Sequence, residues 1–216
     1  IGAFEARNGF YVDSFADAPD ASPGDGFAVD AMGRRTLRAA IQEANATPFD
    51  PDEIYLAAGT YQLSLLGNAE DAAATGDLDV SSIITIIGSD RDEVLIHGGG
   101  IDRVFHALNG SELALRGVSI EGGFTTEDGG GILIDDFGSV NIQNGRVAGN
   151  TAAAGGGIRV APVGNLDVVG TQFFSNSATD AMKFGGAIHN EGGVTIDSSQ
   201  IQFNTAVGLG GGIGNS

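Results

Sequence analysis

The chain has 216 residues but no cysteine, no tryptophan, only five prolines and a single lysine, Lys183, and aromatic residues make up just 7% of it. Without cysteine no disulfide can brace the fold, and the redox compartment is left open. No apolar run approaches the roughly 18 residues that a membrane-spanning helix needs. The opening IGAFEARNGFYVDS has neither the basic start nor the hydrophobic stretch of a signal peptide. Positive charge is the scarcest resource. Ten Lys and Arg against 28 Asp and Glu leave a net charge of −18. Phosphate backbones are bound by basic patches, so nucleic acid is not an expected partner.

Glycine is abundant, at 36 residues, and it is periodic. Runs of small residues lead into an aliphatic residue at Gly129-Gly130-Gly131-Ile132, Gly155-Gly156-Gly157-Ile158, Gly185-Gly186-Ala187-Ile188 and Gly210-Gly211-Gly212-Ile213. Their isoleucines stand 26, 30 and 25 residues apart. Self-similarity at such a period is the signature of a solenoid. With the copies aligned on Ile132, Ile158 and Ile188, Val140 and Ile142 match Leu166 and Val168, then Val194 and Ile196. Val147, Phe173 and Ile201 form the next column, and Asn150, Asn176 and Asn204 the one after. An earlier lap fits as Phe105, Leu113, Leu115 and Ile120, with Gly123 in the asparagine position. Apolar residues at i and i+2 put alternate side chains on one face, as strands do. Each repeat therefore reads as two or three short strands joined by tight bends, one lap of a parallel β-helix.

The asparagine column has two readings. A sharp bend favours φ > 0, which glycine and asparagine tolerate best, and Gly123 in the same column fits that need. Stacked one strand spacing apart, Asn150, Asn176 and Asn204 are expected to form a structural amide ladder; the plainer alternative is solvated turn residues. The glycine runs fit bends where the backbone passes close to the next lap. Residues 177–184 (SATDAMKF) exceed their counterpart after Asn150 and are expected to form an external loop carrying Lys183.

Residues 36–45 read as a short helix with Leu37, Ala40, Ile41 and Ala44 on one face and Thr36 as its N-cap. The helix is too short to stand alone. It is expected to cap the first lap, since open solenoid ends expose strand edges. Strands are expected at 53–56, 60–63, 83–87 and 94–96.

The stretch Ala18-Pro19-Asp20-Ala21-Ser22-Pro23-Gly24-Asp25-Gly26 followed by Thr36-Leu37-Arg38-Ala39-Ala40-Ile41-Gln42-Glu43-Ala44-Asn45 resembles the CSLREA domain of secreted bacterial proteins. So do Leu56-Ala57-Ala58-Gly59-Thr60-Tyr61 and Gly76-Asp77-Leu78-Asp79. GGAI at 185–188 and Phe173 to Asn176 are similar to the polymorphic-outer-membrane-protein type of β-helix repeat. The resemblance covers most of residues 10–216. It implies a right-handed parallel β-helix in an exported, often very long surface protein of mostly uncharacterised function. The family's cysteine before the Leu-Arg pair is Arg35 here and its usual glutamate is Ala39. The cap must then be held by packing, with Arg38 paired to a carboxylate. Ile1-Gly2-Ala3-Phe4-Glu5 is similar to the closing strand of a preceding unit, and Gly214-Asn215-Ser216 falls partway through a lap. The chain is accordingly expected to be a segment of a longer protein with tandem units.

Parallel β-helices also host pectate lyases and polygalacturonase-like hydrolases. A glycoside hydrolase needs two carboxylates placed across a bound sugar. Asp135-Asp136 is an adjacent pair on a bend, with Arg159 the one basic residue expected nearby, and the Gly-His-Gly and Arg-Ile-Lys signatures do not occur. His97, His106 and His189 lack ligand spacing and read as structural or solvated. No catalytic residue is assigned. Calcium is the expected cofactor if there is one. Its oxygen ligands would come from Asp17, Asp20 and Asp25 in one Pro/Gly-constrained loop and from Glu70, Asp71, Asp77 and Asp79 in another. Neither loop matches the EF-hand or the nonapeptide calcium repeat, and solvated acidic loops are the alternative.

These readings place the chain as all-β, a single-stranded right-handed parallel β-helix (solenoid) with a short N-terminal capping α-helix. Its expected parts are 1–9, the tail of a preceding unit or linker; 10–80, the cap with the first coils; and 81–216, the remaining coils. The expected role is a non-catalytic structural or adhesive module of an exported surface or filament protein, whose partners are other β-helix units of the same chain or assembly. The alternative is a carbohydrate-binding or carbohydrate-cleaving β-helix with a surface glycan as partner. That alternative predicts a row of exposed aromatics or a carboxylate–Arg cluster on one strand face.

Overall fold

The computed structural model describes residues 9–48, 50–68 and 70–216. The strand reading for residues 1–5 lies outside them. The chain winds as a right-handed parallel β-helix whose laps each lay one strand on three lengthwise sheets. The first sheet runs through Gly9–Val12, Asp52–Leu56, Ile83–Ile87, Glu112–Arg116, Ser139–Gln143, Asn165–Val169 and Gly193–Asp197. The second holds Leu78–Val80, Phe105–Ala107, Ile132–Ile134, Ile158–Val160, Ile188–Asn190 and Ile213–Asn215. The third holds Gly59–Gln62, Val94–His97, Ser119–Glu121, Arg146–Ala148, Gln172–Phe174 and Gln200–Gln202. A short fourth sheet joins Thr151–Ala152, Ser177–Ala178 and Thr205–Ala206. The start of the 177–184 insertion is thus a paired strand, and only its remainder is loop.

The register follows the hydrophobic columns. Ile132 pairs with Phe105, Ile158 with Ile132, Ile188 with Ile158 and Ile213 with Ile188. Leu166 stands between Val140 and Val194, and Phe173 between Val147 and Ile201. A one-residue slip would turn every one of these side chains outward. Ile132, Ile158, Ile188, Val140, Leu166, Val168 and Phe173 are all buried, each contributing about 1.5–3 kcal/mol of transfer free energy.

Between the laps the glycine runs hydrogen-bond to one another, Gly156 N–H donating to Gly185 O and Gly157 N–H to Gly186 O, each at 3.2 Å. A Cβ at Gly156 would stand 2.4 Å from the Ser177 carbonyl oxygen, so close backbone approach explains the run. The asparagines behave differently from the bend argument. None of Asn150, Asn176 and Asn204 has positive φ. The left-handed residue is the one before each, Gly149 (63°), Ser175 (54°) and Phe203 (57°), as Gly122 (66°) is before Gly123. The bend is made one position early, and this frees the asparagine side chain to turn into the stack. Asn150 Nδ2 donates to Asn176 Oδ1 at 3.0 Å and Asn176 Nδ2 to Asn204 Oδ1 at 2.9 Å.

The helix spans Leu37–Asn45, and the Thr36 hydroxyl accepts the Ala39 N–H at 3.1 Å. Leu37, Ala40, Ile41 and Ala44 are buried against the first laps, but so are Arg38, Gln42 and Glu43 on the opposite side. The preceding loop wraps that side. Gly24 N–H donates to Glu43 Oε2 at 2.6 Å and Asp20 N–H to Gln42 Oε1 at 2.7 Å. The helix is therefore enclosed on both sides, and Arg38 pairs with a carboxylate, Asp17, as expected.

Candidate functional site

Each strand of the second sheet is three residues long, so its outer two side chains point inward and its middle one faces away. In the last strand, Ile213–Asn215, the outer two are left exposed at the end of the stack. The register aligns these middle residues as Asp79, His106, Leu133, Arg159, His189 and Gly214. A polar column on one wall results, bordered by acidic bends and turns. A cleft of about 380 Å³ opens over its first part, lined by Glu70, Asp77, Arg103, His106, Phe124 and Asp135 among others. A shallower depression of about 400 Å³ shares Thr126, Glu127, Leu133 and Asp135 with it and runs on to Arg159 and Lys183. Together they form one lateral groove.

His106 is the centre of this groove. Its Nδ1 lies 3.4 Å from Asp79 Oδ1 and 4.0 Å from Asp71 Oδ1, and its Nε2 lies 3.1 Å from Asp135 Oδ2. Asp79 is fully buried and Asp71, on the turn before it, is 73% exposed in its side chain. Asp79 Oδ2 accepts the Ala73 N–H at 2.8 Å, but neither Asp79 Oδ1 nor His106 Nε2 has an aligned hydrogen bond. Burial alone would push the imidazolium of His106 down. The carboxylates of Asp79 and Asp135 outweigh it and hold its pKa above the ordinary histidine value. Burial raises Asp79 against the opposing pull of His106 and the Ala73 N–H. Asp77 is pushed up to about 7 by burial and by the neighbouring Asp79, with Arg103 pulling the other way. Arg103 itself lies 3.5 Å from Asp77 and 3.2 Å from Glu127.

The cap positions this cluster from behind. Arg38 donates to the carbonyls of Ala73, Gly76 and Asp77 at 2.8–3.0 Å while its Nε meets Asp17 Oδ1 at 2.6 Å. Asn45 Nδ2 donates to Asp79 O at 2.8 Å and Gln42 Nε2 to Ala72 O at 3.2 Å. Three polar residues of one helix thus fix the turn that carries Asp71, Asp77 and Asp79.

Asp71, Asp79 and His106 place one ligand atom each within 4.8 Å of one another, a group capable of coordinating a metal ion. Of the acidic residues with calcium-ligand character, Asp71 and Asp79 belong to it. Asp77 lines the same cleft but turns to Arg103. Asp17, Asp20 and Asp25 are engaged elsewhere. Asp17 pairs with Arg38 and accepts Ser64 and Leu65 N–H groups. Asp20 accepts Ser22 and Val29 N–H groups, and Asp25 accepts the N–H of Phe27.

Sequence reasoning passed over His106, treating it with His97 and His189 as structural or solvated. The signal was present: Leu78-Asp79-Val80 and Phe105-His106-Ala107 share the apolar–polar–apolar pattern that makes Asp79 and His106 register partners. His97 Nδ1 accepts the Gly99 N–H at 3.0 Å. His189 lies 3.1 Å from Ser216 Oγ, and burial holds its pKa down. The Asp135-Asp136 pair diverges, since Asp136 accepts the Val163 N–H at 3.0 Å while Asp135 turns to His106. Arg159 pairs with Glu191 at 2.6 Å and approaches Asp128 at 3.8 Å; Lys183 meets Asp128 at 2.6 Å. Phe173 is in the core, and Phe174 faces outward against Phe203 with ring centroids 5.1 Å apart.

Among the described residues, no helix is long and apolar enough to cross a membrane. The architecture is that of a right-handed parallel β-solenoid with an N-terminal helix. Family models, curated proteins and solved structures were each compared with the chain, and none matches.

Proposed function

We propose that the chain is a non-catalytic structural or adhesive module of a larger exported surface or filament protein. The observation that carries this reading is the in-register repetition of the laps. Successive laps pair through the same three sheets and, through the middle of the stack, the same buried apolar columns, which gives a stiff body with a long lateral face. The likeness of residues 18–26 and 36–45 to the CSLREA domain, and of the later laps to surface β-helix repeats, supports an exported location. Antibodies raised against the chain are expected to label intact cells that make the protein. Labelling confined to permeabilised cells would overturn the location. Beads coated with the chain are expected to adhere to a cell or matrix surface, and indifference across a broad panel would remove the adhesive role.

A second reading, carbohydrate binding or cleavage, is favoured by the lateral groove. There the half-exposed Phe124 stands beside Asp77, Arg103 and Asp135, and Arg159 joins a carboxylate–Arg cluster farther along. Carboxylates outnumber cations along it, so a neutral glycan suits it better than an anionic one. Glycan-array binding lost on Phe124→Ala would establish binding, and new reducing ends or unsaturated products would establish cleavage. The calcium reading of the acidic loops is tested by thermal melting with and without a calcium-selective chelator, an unchanged midpoint ruling out a structural calcium ion.

A further inference from the structure

We propose that Asp71, Asp79 and His106 bind one divalent transition cation of the zinc class, which closes the acidic turn 70–77 against the wall of the solenoid. The first support is the donor set. Calcium takes six to eight oxygens, whereas here an imidazole nitrogen and two carboxylates converge, a combination suited to zinc, cobalt or nickel. The separation of His106 Nδ1 from Asp79 Oδ1, 3.4 Å, matches the edge of about 3.3 Å of a tetrahedron with bonds near 2.05 Å. Asp71 Oδ1 is 4.0 Å from the same nitrogen, and its exposed side chain closes that gap by a small rotation.

The second support is Asp79 itself. Its side chain is fully buried and its Oδ1, 3.4 Å from His106 Nδ1, has no aligned hydrogen-bond donor among the described residues. A buried carboxylate oxygen left without a donor is costly, and a cation at this point removes the cost. The third is Asp135, 3.1 Å from the far nitrogen of the ring. The contact is close but not aligned as a hydrogen bond. A small turn of the ring on metal binding would let Asp135 accept the Nε2–H, fix the tautomer and present the Nδ1 lone pair to the cation, the carboxylate–histidine–metal arrangement of metalloproteins. The three ligands come from an exposed turn, the first strand of the second sheet and the next strand of that sheet. The ion therefore ties the turn to two successive laps and leaves one coordination position open to the cleft.

The test is isothermal titration of the full chain, made without a polyhistidine tag and stripped with chelator, using zinc and then cobalt, whose visible spectrum reports its coordination. One ion per chain is expected, undisturbed by a large excess of calcium. Asp135→Asn should weaken binding by about 10- to 100-fold, and Asp71→Asn and His106→Gln by more. Asp25→Asn, outside the cluster, should leave it unchanged. Asp71 is exposed, so D71N separates loss of a ligand from loss of fold should H106Q fold poorly. Absence of a stoichiometric site, affinity undiminished in D71N, or displacement by calcium would each overturn the assignment.

Discussion

Asn176 uses every hydrogen-bonding position it has. Its Oδ1 accepts the N–H and Nδ2 of Asn150 at 3.1 and 3.0 Å, and its Nδ2 donates to Val147 O at 2.8 Å and to Asn204 Oδ1 at 2.9 Å. Asn176→Ala removes four hydrogen bonds from this column, although Asn204 Oδ1 keeps the Asn176 backbone N–H and Asn150 Nδ2 keeps Ile120 O, at a cost of about 1–3 kcal/mol. Asn176→Asp costs more, because it sets carboxylate oxygens against two other oxygens in a site closed to solvent. Urea unfolding checks the order, and an N176D chain as stable as N176A would mean that the ladder's polarity is unimportant. The register of this column was legible from spacing alone. Its conformation was not, because whether the asparagine or its predecessor takes the left-handed bend depends on which side chain the interior can satisfy. The pairing of His106 with Asp79 was legible in the pattern Leu78-Asp79-Val80 and Phe105-His106-Ala107, but the approach of Asp71 and Asp135 was not, because bends bring them there only once the laps are wound.

Asp52 supplies the pH dependence at this scale. It is buried, and among the described residues its Oδ1 has no hydrogen-bond partner and its Oδ2 accepts only the Thr47 hydroxyl, at 3.1 Å. Burial lifts its pKa from 3.8 to about 6, with Asp50 and Glu43 adding to the rise. The folded state then holds the proton more tightly than the unfolded chain. Its contribution favours folding below about pH 4 and is lost as pH rises from about 4 to 6, a swing of order 1–3 kcal/mol. Asp52→Asn is expected to flatten that slope and to raise stability at pH 7. Denaturant midpoints of both chains across pH 4–7 measure it, and parallel profiles would refute it.

At the scale of elements, the cap helix couples the end of the solenoid to the candidate site. Its N-cap and apolar stripe were readable from residues 36–45. On its polar face the pairing of Arg38 with a carboxylate was expected, but not the partner or the enclosure. Gly24, Asp20 and Asp17 reach it from earlier in the chain, and no local periodicity announces a loop that folds back. Arg38 and Asp17 are both desolvated, with side chains 0% and 2% exposed. Removing one partner of such a pair leaves the other's charge buried, which costs about 3–5 kcal/mol. Arg38→Met is therefore expected to destabilise by that order and to loosen the turn 70–77, whose carbonyls lose their donor. Arg38→Lys should recover little, since one ammonium cannot reach Asp17 and three carbonyls as the planar guanidinium does. Limited proteolysis resolves the two effects. Cleavage in 70–77 at concentrations of denaturant too low for global unfolding is the expected pattern, and a turn as resistant as in the unaltered chain would show that Arg38 does not hold it.

The whole molecule carries its charge unevenly. Of ten cationic side chains against 28 carboxylates, Arg34, Arg35, Arg38, Arg103, Arg146, Arg159 and Lys183 each have a carboxylate partner. The surplus negative charge therefore lies spread along the solenoid with little to offset it, and winding the chain into a stack draws those charges together. Salt acts on two opposed effects. It weakens the surface pairs, worth about 0–1 kcal/mol each, and it screens the repulsion of the net charge of −18. Because the pairs are few and the repulsion is summed over the surface, the second effect prevails. Passing from about 10 mM to 1 M salt shortens the screening length from about 30 to 3 Å, and the melting midpoint is expected to rise by several degrees with sodium chloride. The sign is diagnostic: a midpoint that falls would mean that the cross-lap pairs at Arg103, Arg146 and Arg159 carry more of the fold's stability than the apolar columns and the asparagine ladder allow.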